Sequence, residues 1–208
     1  MSLQWVVVVP VKALAVAKSR LADVAGPSRR ALAGAFAADT VAALAPAPDV
    51  RRVAVVCGDA DLARTLAGPG VELVPEPGPT GLNEAAKLGL RWARTHHPDA
   101  GVVVVPADLP ALRGADVARM LGLAARHSRA ALADREGTGT TMLAAAPGVD
   151  LRPRFGPASF ARHVGDGAVA LDATGLARAV RDVDTGAHLR QACRLGVGPA
   201  TGRVLGGR

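Results

Sequence analysis

Three runs of β-branched residues, Trp5–Val11 (WVVVVPV), Val53–Cys57 (VAVVC) and Val102–Val105 (VVVV), constrain this chain more than any other feature of it. None alternates apolar with polar residues, so none suits a sheet with one wet face. Each reads as a strand buried on both sides, which requires a largely parallel sheet covered by helices. The intervening segments supply the covers. From Ser28 to about Leu44, residues Leu32, Ala35, Phe36, Val41 and Leu44 recur at helical spacing behind a Ser28 N-cap, and Pro46 and Pro48 end the run. Asp59 caps a short helix through Leu66, a short strand Val71–Val74 follows, and Asn83–Thr95 and Ala115–Arg126 are further helices. Strand and helix thus alternate as far as Arg126, which favours right-handed crossovers, an open doubly wound sheet, and function at the carboxyl ends of its strands.

Past Arg126 the pattern loosens. Ala130–Ala133, Thr141–Ala145 and Val169–Leu171 read as strands, and Pro157–Val164 and Thr185–Leu195 as helices. The expected organisation is one α/β domain over residues 1–195, followed by a flexible tail over 196–208, where Gly and Pro199 interrupt any periodicity.

The bulk properties narrow the function. The 208 residues, half of them apolar, suffice for one buried core. The formal charge of +7 suits an anionic partner, polymer or small phosphate-bearing ligand alike. With no Tyr and only five Phe and Trp residues, the chain offers few stacking platforms for single-stranded nucleic acid. Cys57 and Cys193 have neither metal-ligand spacing nor a disulfide framework, and the apolar run at Trp5 is too short to span a bilayer. The expected setting is the cytoplasm.

No G-x-G-x-x-G follows the first strand, and there is no Walker A loop, so neither a dinucleotide nor a P-loop site is indicated. Instead the strand runs into a loop of small residues carrying Lys12, Lys18 and Arg20, three cations where a triphosphate would bind. The third long strand ends in Pro106-Ala107-Asp108, which projects a carboxylate over the sheet edge, where a hard divalent cation is readily held. In extended structure Asp182 and Asp184 face one side and can approach the same point, although Asp184 or Thr185 also suits a helix cap. Gly156-Pro157-Ala158-Ser159 reads as a helix start with exposed N–H groups and a hydroxyl, a ready anion site. Thr141 opens a strand after the flexible Gly137-Thr138-Gly139-Thr140, and serves either as an acceptor contact or as a residue of high β-propensity. Asn83, after Gly81-Leu82, is either a nucleoside contact or a helix N-cap.

Six segments in order, VPVKALAVAKSRLA from Val9, GLNEAAKLG from Gly81, PADLPAL from Pro106, GTGTTML from Gly137, FGPASFARH from Phe155 and DVDTGAHL from Asp182, resemble the phospholactate/phosphoenolpyruvate guanylyltransferase family of deazaflavin coenzyme biosynthesis. The likeness runs through residues 5–195. It implies a GT-A-like nucleotidyltransferase fold, Mg²⁺, and GTP as donor. The acceptor's phosphate attacks the α-phosphorus and pyrophosphate leaves. Phosphoenolpyruvate is the favoured acceptor, giving enolpyruvoyl-2-diphospho-5'-guanosine for coenzyme F-420, with 2-phospholactate as the alternative. By the same resemblance Lys12, Lys18 and Arg20 hold the triphosphate, with Gly81 and Asn83 on the nucleotide. Asp108 and Asp184, joined by Asp182, hold the metal, and Thr141, Gly156 and Ser159 bind the phosphorylated acid. Lys18, Arg20 and Asp108 form the catalytic set. The first loop departs from the family in reading Lys12-Ala13-Leu14, where a proline would follow the lysine, which bears on loop rigidity rather than on chemistry.

Two other readings share some of these features. A molybdenum-cofactor guanylyltransferase or an isoprenoid-pathway cytidylyltransferase would keep the aspartates but carry a glycine-rich A-G-G-x-S first loop, which is absent here. A basic nucleic-acid-binding protein would need a concentrated basic stripe and interleaved aromatics. The expected partners are therefore the two small-molecule substrates, with no nucleic acid and no membrane, and a homodimer is the assembly allowed for.

Overall fold

The computed structural model describes residues 3–11, 29–78 and 80–206. The three β-branched runs become β1 (Trp5–Val11), β2 (Val50–Cys57) and β4 (Gly101–Val104), with β3 (Val71–Pro75) between the last two in sequence. β1 pairs in parallel with both β2 and β4, and β2 with β3. Adding β5 (Arg129–Ala133), β6 (Thr140–Ala145) and β7 (Val169–Ala170) gives a seven-stranded sheet in the order β3-β2-β1-β4-β6-β5-β7. Only β6 runs against the rest. It must, because residues 134–139 connect it to β5, and so short a link cannot cross over the sheet.

Both sheet faces are covered, which is why the strands carry no polar alternation. Trp5, Val7, Val9 and Val11 point to one face, under Val41 and Leu44 of α1 (Arg29–Leu44), Leu62 and Leu66 of α2 (Ala60–Leu66) and Val117, Met120 and Leu121 of α4 (Gly114–Ala124). Val6 and Val8 point to the other, under Ala85, Ala86, Leu90 and Ala93 of α3 (Leu82–His96). Asp59 caps α2 as its position in the sequence predicts, accepting from the N–H groups of Asp61 and Leu62.

Alanine and glycine on α3 let that helix lie close to the sheet. A Cβ on Gly89 would stand 2.3 Å from Cγ1 of Val8 and 2.9 Å from Cγ2 of Val56, both in buried strands that cannot yield. Gly122 on α4 has nothing within 4 Å. The two Gly→Ala changes should therefore have opposite signs in urea unfolding. Gly122→Ala gains up to about 1 kcal/mol of helix propensity, whereas Gly89→Ala loses about 1–3 kcal/mol to overpacking. Stabilisation by both would mean that α3 stands further from the sheet than these distances give.

The chain end differs from the sequence expectation of a flexible tail over 196–208. Pro199–Gly206 forms α7, which packs against α1 after α5 (Ser159–Gly165) and α6 (Gly186–Leu195). Pro199 occupies the first helical position, where its missing N–H costs nothing. The buried carboxylate of Asp39, on α1, accepts from the N–H groups of Ala200 at 2.9 Å and Thr201 at 2.8 Å. Gly198 makes this approach feasible, since a Cβ there would lie 2.3 Å from the Asp39 carboxylate. The anchor comes from about 160 residues away, so local periodicity carries no trace of it. Among the described residues no helix is long and apolar enough to cross a membrane.

Candidate active site

The cleft lies at the carboxyl edge of the sheet, as the doubly wound reading requires. It has a volume of about 500 Å³ and is lined by five stretches of chain: the start of α3 at Leu82, the loop after β4, the β5–β6 hairpin, the turn before α5, and the approach to α6. Lys12, Lys18 and Arg20, along with the Ser28 cap, lie outside the described residues.

Asp108 follows β4 in a loop held at both flanks. The N–H of Leu109 donates to Oγ1 of buried Thr40 on α1, and the Asp108 carbonyl accepts from the N–H of Val183 at 3.0 Å. That second bond lays residues 182–184 beside Asp108. Asp108, Asp182 and Asp184 thereby present carboxylate oxygens that all lie within 4.8 Å of one another, hard donors of the kind a divalent cation takes. The capping alternative is resolved in favour of Thr185, whose hydroxyl accepts from the N–H of His188, while Asp184 lines the cleft.

Asp182 also belongs to a second acidic group with Asp134 and Glu136 of the β5–β6 hairpin. Sequence reasoning misses both hairpin residues: Asp134 directly follows the Ala130–Ala133 strand, but that run lacks the β-branched residues that mark the strand before Asp108. Asp134 accepts from the N–H groups of Thr138 and Gly139 and so shapes the turn, and Glu136 pairs with the buried guanidinium of Arg181 at 2.8 Å. Burial alone would raise the Glu136 carboxyl, but hydrogen bonds and charge from Arg181, helped by His188, bring it below its ordinary range.

The opposite wall carries the three residues expected to bind an acid. Thr141, Gly156 and Ser159 all line the cleft, and Thr140 joins them. Adjacent residues on a regular strand face opposite ways. Here the register slips, with Ala133 opposite Thr140 but Leu132 opposite Met142, so Thr141 is the extra residue of a bulge and both threonines reach one side. Gly156, at φ +119°, makes a turn that a side chain would strain, and Ala158 is held in the left-handed region at φ +53°. The helix expected from Pro157 consequently starts two residues later, at Ser159. Gly81 precedes α3 with φ +84°.

Asn83 does a job that the sequence does not reveal. Its amide nitrogen donates to the carbonyl of Phe155 and its amide oxygen accepts from the Phe155 N–H at 2.7 Å, which ties α3 to the Phe155–Ser159 turn. The helix-cap contact is not what this side chain makes here.

Behind the turn, His163 is 1% exposed. Its Nε2 accepts from the N–H of Arg154 at 2.9 Å, and its Nδ1 lies 2.9 Å from Oγ1 of Thr140, which is 3.2 Å from the Ser159 hydroxyl. Burial, reinforced by Arg162 and Arg154 and opposed by Asp166, lowers its pKa to about 4. The folded protein thus holds His163 neutral, while the unfolded chain takes up a proton near the ordinary 6.5. The resulting stability is fully present above pH 6.5 and is lost as pH falls from there towards 4, amounting to about 3 kcal/mol. Unfolding curves at pH 7 and pH 4.5 should differ by less in His163→Gln than in the wild type. An equal difference in both would assign the acid sensitivity to other groups.

Clustered carboxylates thus face a hydroxyl- and glycine-lined wall across one cleft on a doubly wound sheet, an arrangement that suits a nucleotidyltransferase. A solved nucleotidyl transferase from Methanothermobacter thermautotroptrophicus shares the fold, with a TM-score of 0.60 over 92% of this chain and 97% of that one at 16% identity. The chain belongs to the family described as guanylyl transferase CofC like, which it matches over residues 5–171. Its relatives include proteins named phosphoenolpyruvate guanylyltransferase from Streptomyces avermitilis, 52% identical over 96% of this chain and 93% of the relative, and from Streptomyces scabiei, 52% identical over 96% and 94%.

Proposed function

We propose that this protein transfers a guanylyl group from GTP to phosphoenolpyruvate, giving enolpyruvoyl-2-diphospho-5'-guanosine and pyrophosphate, a step of coenzyme F-420 biosynthesis in the cytoplasm. The observation that carries the reading is the meeting of Asp108, Asp182 and Asp184 with the Thr141, Gly156 and Ser159 wall in one cleft, in a chain half identical to relatives bearing that name. A phosphate oxygen of the acceptor attacks the α-phosphorus of GTP, the bond from that phosphorus to the β-bridging oxygen breaks, and pyrophosphate carries away the electron pair.

The oxygen-only donor set of Asp108, Asp184 and Asp182 fits Mg²⁺. When bound, the ion neutralises charge on the triphosphate and on the departing pyrophosphate. Lys12, Lys18 and Arg20 supply the remaining positive charge to the donor, and Gly81 lets the chain pass close to the nucleotide. Thr141, Gly156 and Ser159 grip the acceptor by its anionic groups, hydroxyls and peptide N–H groups being the donors suited to a phosphate beside a carboxylate.

The test is pyrophosphate release with each of the four nucleoside triphosphates against a panel of phosphorylated acids. Direct competition between phosphoenolpyruvate and 2-phospholactate under limiting GTP follows, with mass analysis of products that differ by two hydrogens. Predominance of the phospholactyl product would overturn the acceptor and keep the family reaction. Absence of product from either acid would overturn the reading.

A further inference from the structure

The hydrogens around His163 can be counted. The N–H of Arg154 is only able to donate, so the Nε2 it reaches at 2.9 Å carries a lone pair. A neutral imidazole then keeps its proton on Nδ1, the atom 2.9 Å from Oγ1 of Thr140, and donates it there. Thr140 and Ser159 own one hydroxyl proton each. Their mutual contact at 3.2 Å uses one of them, whichever of the two donates. The second proton is barred from His163, which is already donating, and both hydroxyls are buried in the cleft wall with relative exposures of 7% and 1%.

We infer that His163 is a positioning residue for the acceptor subsite: by fixing its own proton on Nδ1 it forces the Thr140–Ser159 pair to present a hydroxyl donor to the cleft. The opposite tautomer would reverse the polarity. Thr140 would then donate to Nδ1, Ser159 to Thr140, and the pair would offer only lone pairs to an incoming anion. Arg154, whose side chain pairs with Asp166 on the far side, supplies through its backbone the one contact that selects the tautomer. This inference rests on the proposal that the Ser159 wall holds the anionic acceptor.

Two measurements test it. In ¹⁵N-labelled protein, long-range nitrogen–proton correlation should place the His163 proton on Nδ1, and a proton on Nε2 overturns the inference whatever any variant does. In steady-state kinetics with phosphoenolpyruvate and GTP, His163→Gln keeps an acceptor for Arg154 but loses the donor to Thr140, while His163→Asn keeps a donor near Nδ1. The glutamine variant should raise KM for phosphoenolpyruvate about 10- to 100-fold, the range for a lost hydrogen bond to a charged group, with KM for GTP unchanged. The asparagine variant should recover most of this while being the less stable of the two. Equal KM effects in both, following thermal stability, would reduce His163 to a structural residue. Ser159→Ala separates the layers: if it leaves the phosphoenolpyruvate KM unchanged, the acceptor assignment itself fails. If it raises that KM while His163→Gln does not, only the tautomer inference fails.

Discussion

Asp108→Asn is expected to reduce turnover to below a tenth of wild type, a loss of more than about 1.4 kcal/mol in barrier terms, with the unfolding midpoint essentially unchanged. The side chain sits after β4 in a loop anchored through its backbone and through Thr40. The Leu109–Thr40 and Val183–Asp108 hydrogen bonds therefore survive the substitution. What goes is one of three carboxylates whose oxygens converge within 4.8 Å, and an amide does not replace a charged donor to a hard cation. Asp184→Asn should behave alike, because Thr185, not Asp184, caps the start of α6. Asp182→Asn should cost less activity, since that residue is shared with the Asp134 and Glu136 group. Mn²⁺ titration followed by electron spin resonance gives a readout independent of turnover. Retention of more than a tenth of activity together with unaltered Mn²⁺ affinity in Asp108→Asn would remove it from the metal set.

The largest effect on stability is expected at Arg181. Its side chain is 2% exposed and pairs with Glu136, whose side chain is 45% exposed. The two halves of this pair are not equivalent. Glu136→Gln leaves a buried guanidinium that still has an amide oxygen to bond, and the lost partner was half in water, so the cost is about 1 kcal/mol. Arg181→Met removes the guanidinium that balances Glu136, and it leaves Asp134, Glu136 and Asp182 repelling one another. Its cost is up to about 3 kcal/mol, from the lost hydrogen bonds to a charged partner and the carboxylate repulsion left behind. Urea unfolding of the two single variants and the double variant measures both values and their coupling. Arg181→Met should also lower activity, since Arg181 immediately precedes Asp182 and holds the 182–184 segment to the hairpin. A larger loss in Glu136→Gln than in Arg181→Met would mean that the stranded guanidinium, and not the carboxylate repulsion, sets the cost.

Much of this site is legible in the amino-acid sequence. Asp108 stands out because a carboxylate three residues after VVVV has to emerge at the sheet edge, and Asp182 and Asp184 because alternate residues share a side in extended chain. Thr141, Gly156 and Ser159 are implied by resemblance, and their gathering in one cleft with the aspartates is a property of the fold. Thr140 escapes a sequence reading because strand alternation sends it away from Thr141. The bulge opposite Leu132 and Ala133 that brings both to one side is a pairing irregularity, with no mark in the sequence of β6 itself. Asn83 reads as a cap or a nucleoside contact, and its actual partner, the Phe155 backbone, lies 72 residues away.

The sequence by itself determined the central sheet and its covering. Runs of valine with no polar alternation admit only strands buried on both faces, and the helical spacing between them fixes which residues turn inward; β1, β2, β4 and the helices that cover them follow from hydrophobic burial acting over a few turns of chain. Only the tertiary structure decided the rest: the clamp of Asp39 on α7, the Arg181–Glu136 pair, and the chain of hydrogen bonds from Arg154 through His163 to Thr140 and Ser159. Each is a directional contact between polar groups distant in sequence. Burial free energy depends on area and leaves a periodic signature, whereas a hydrogen bond depends on angle and distance between two particular atoms, and these exist only once the hydrophobic layers have brought them together.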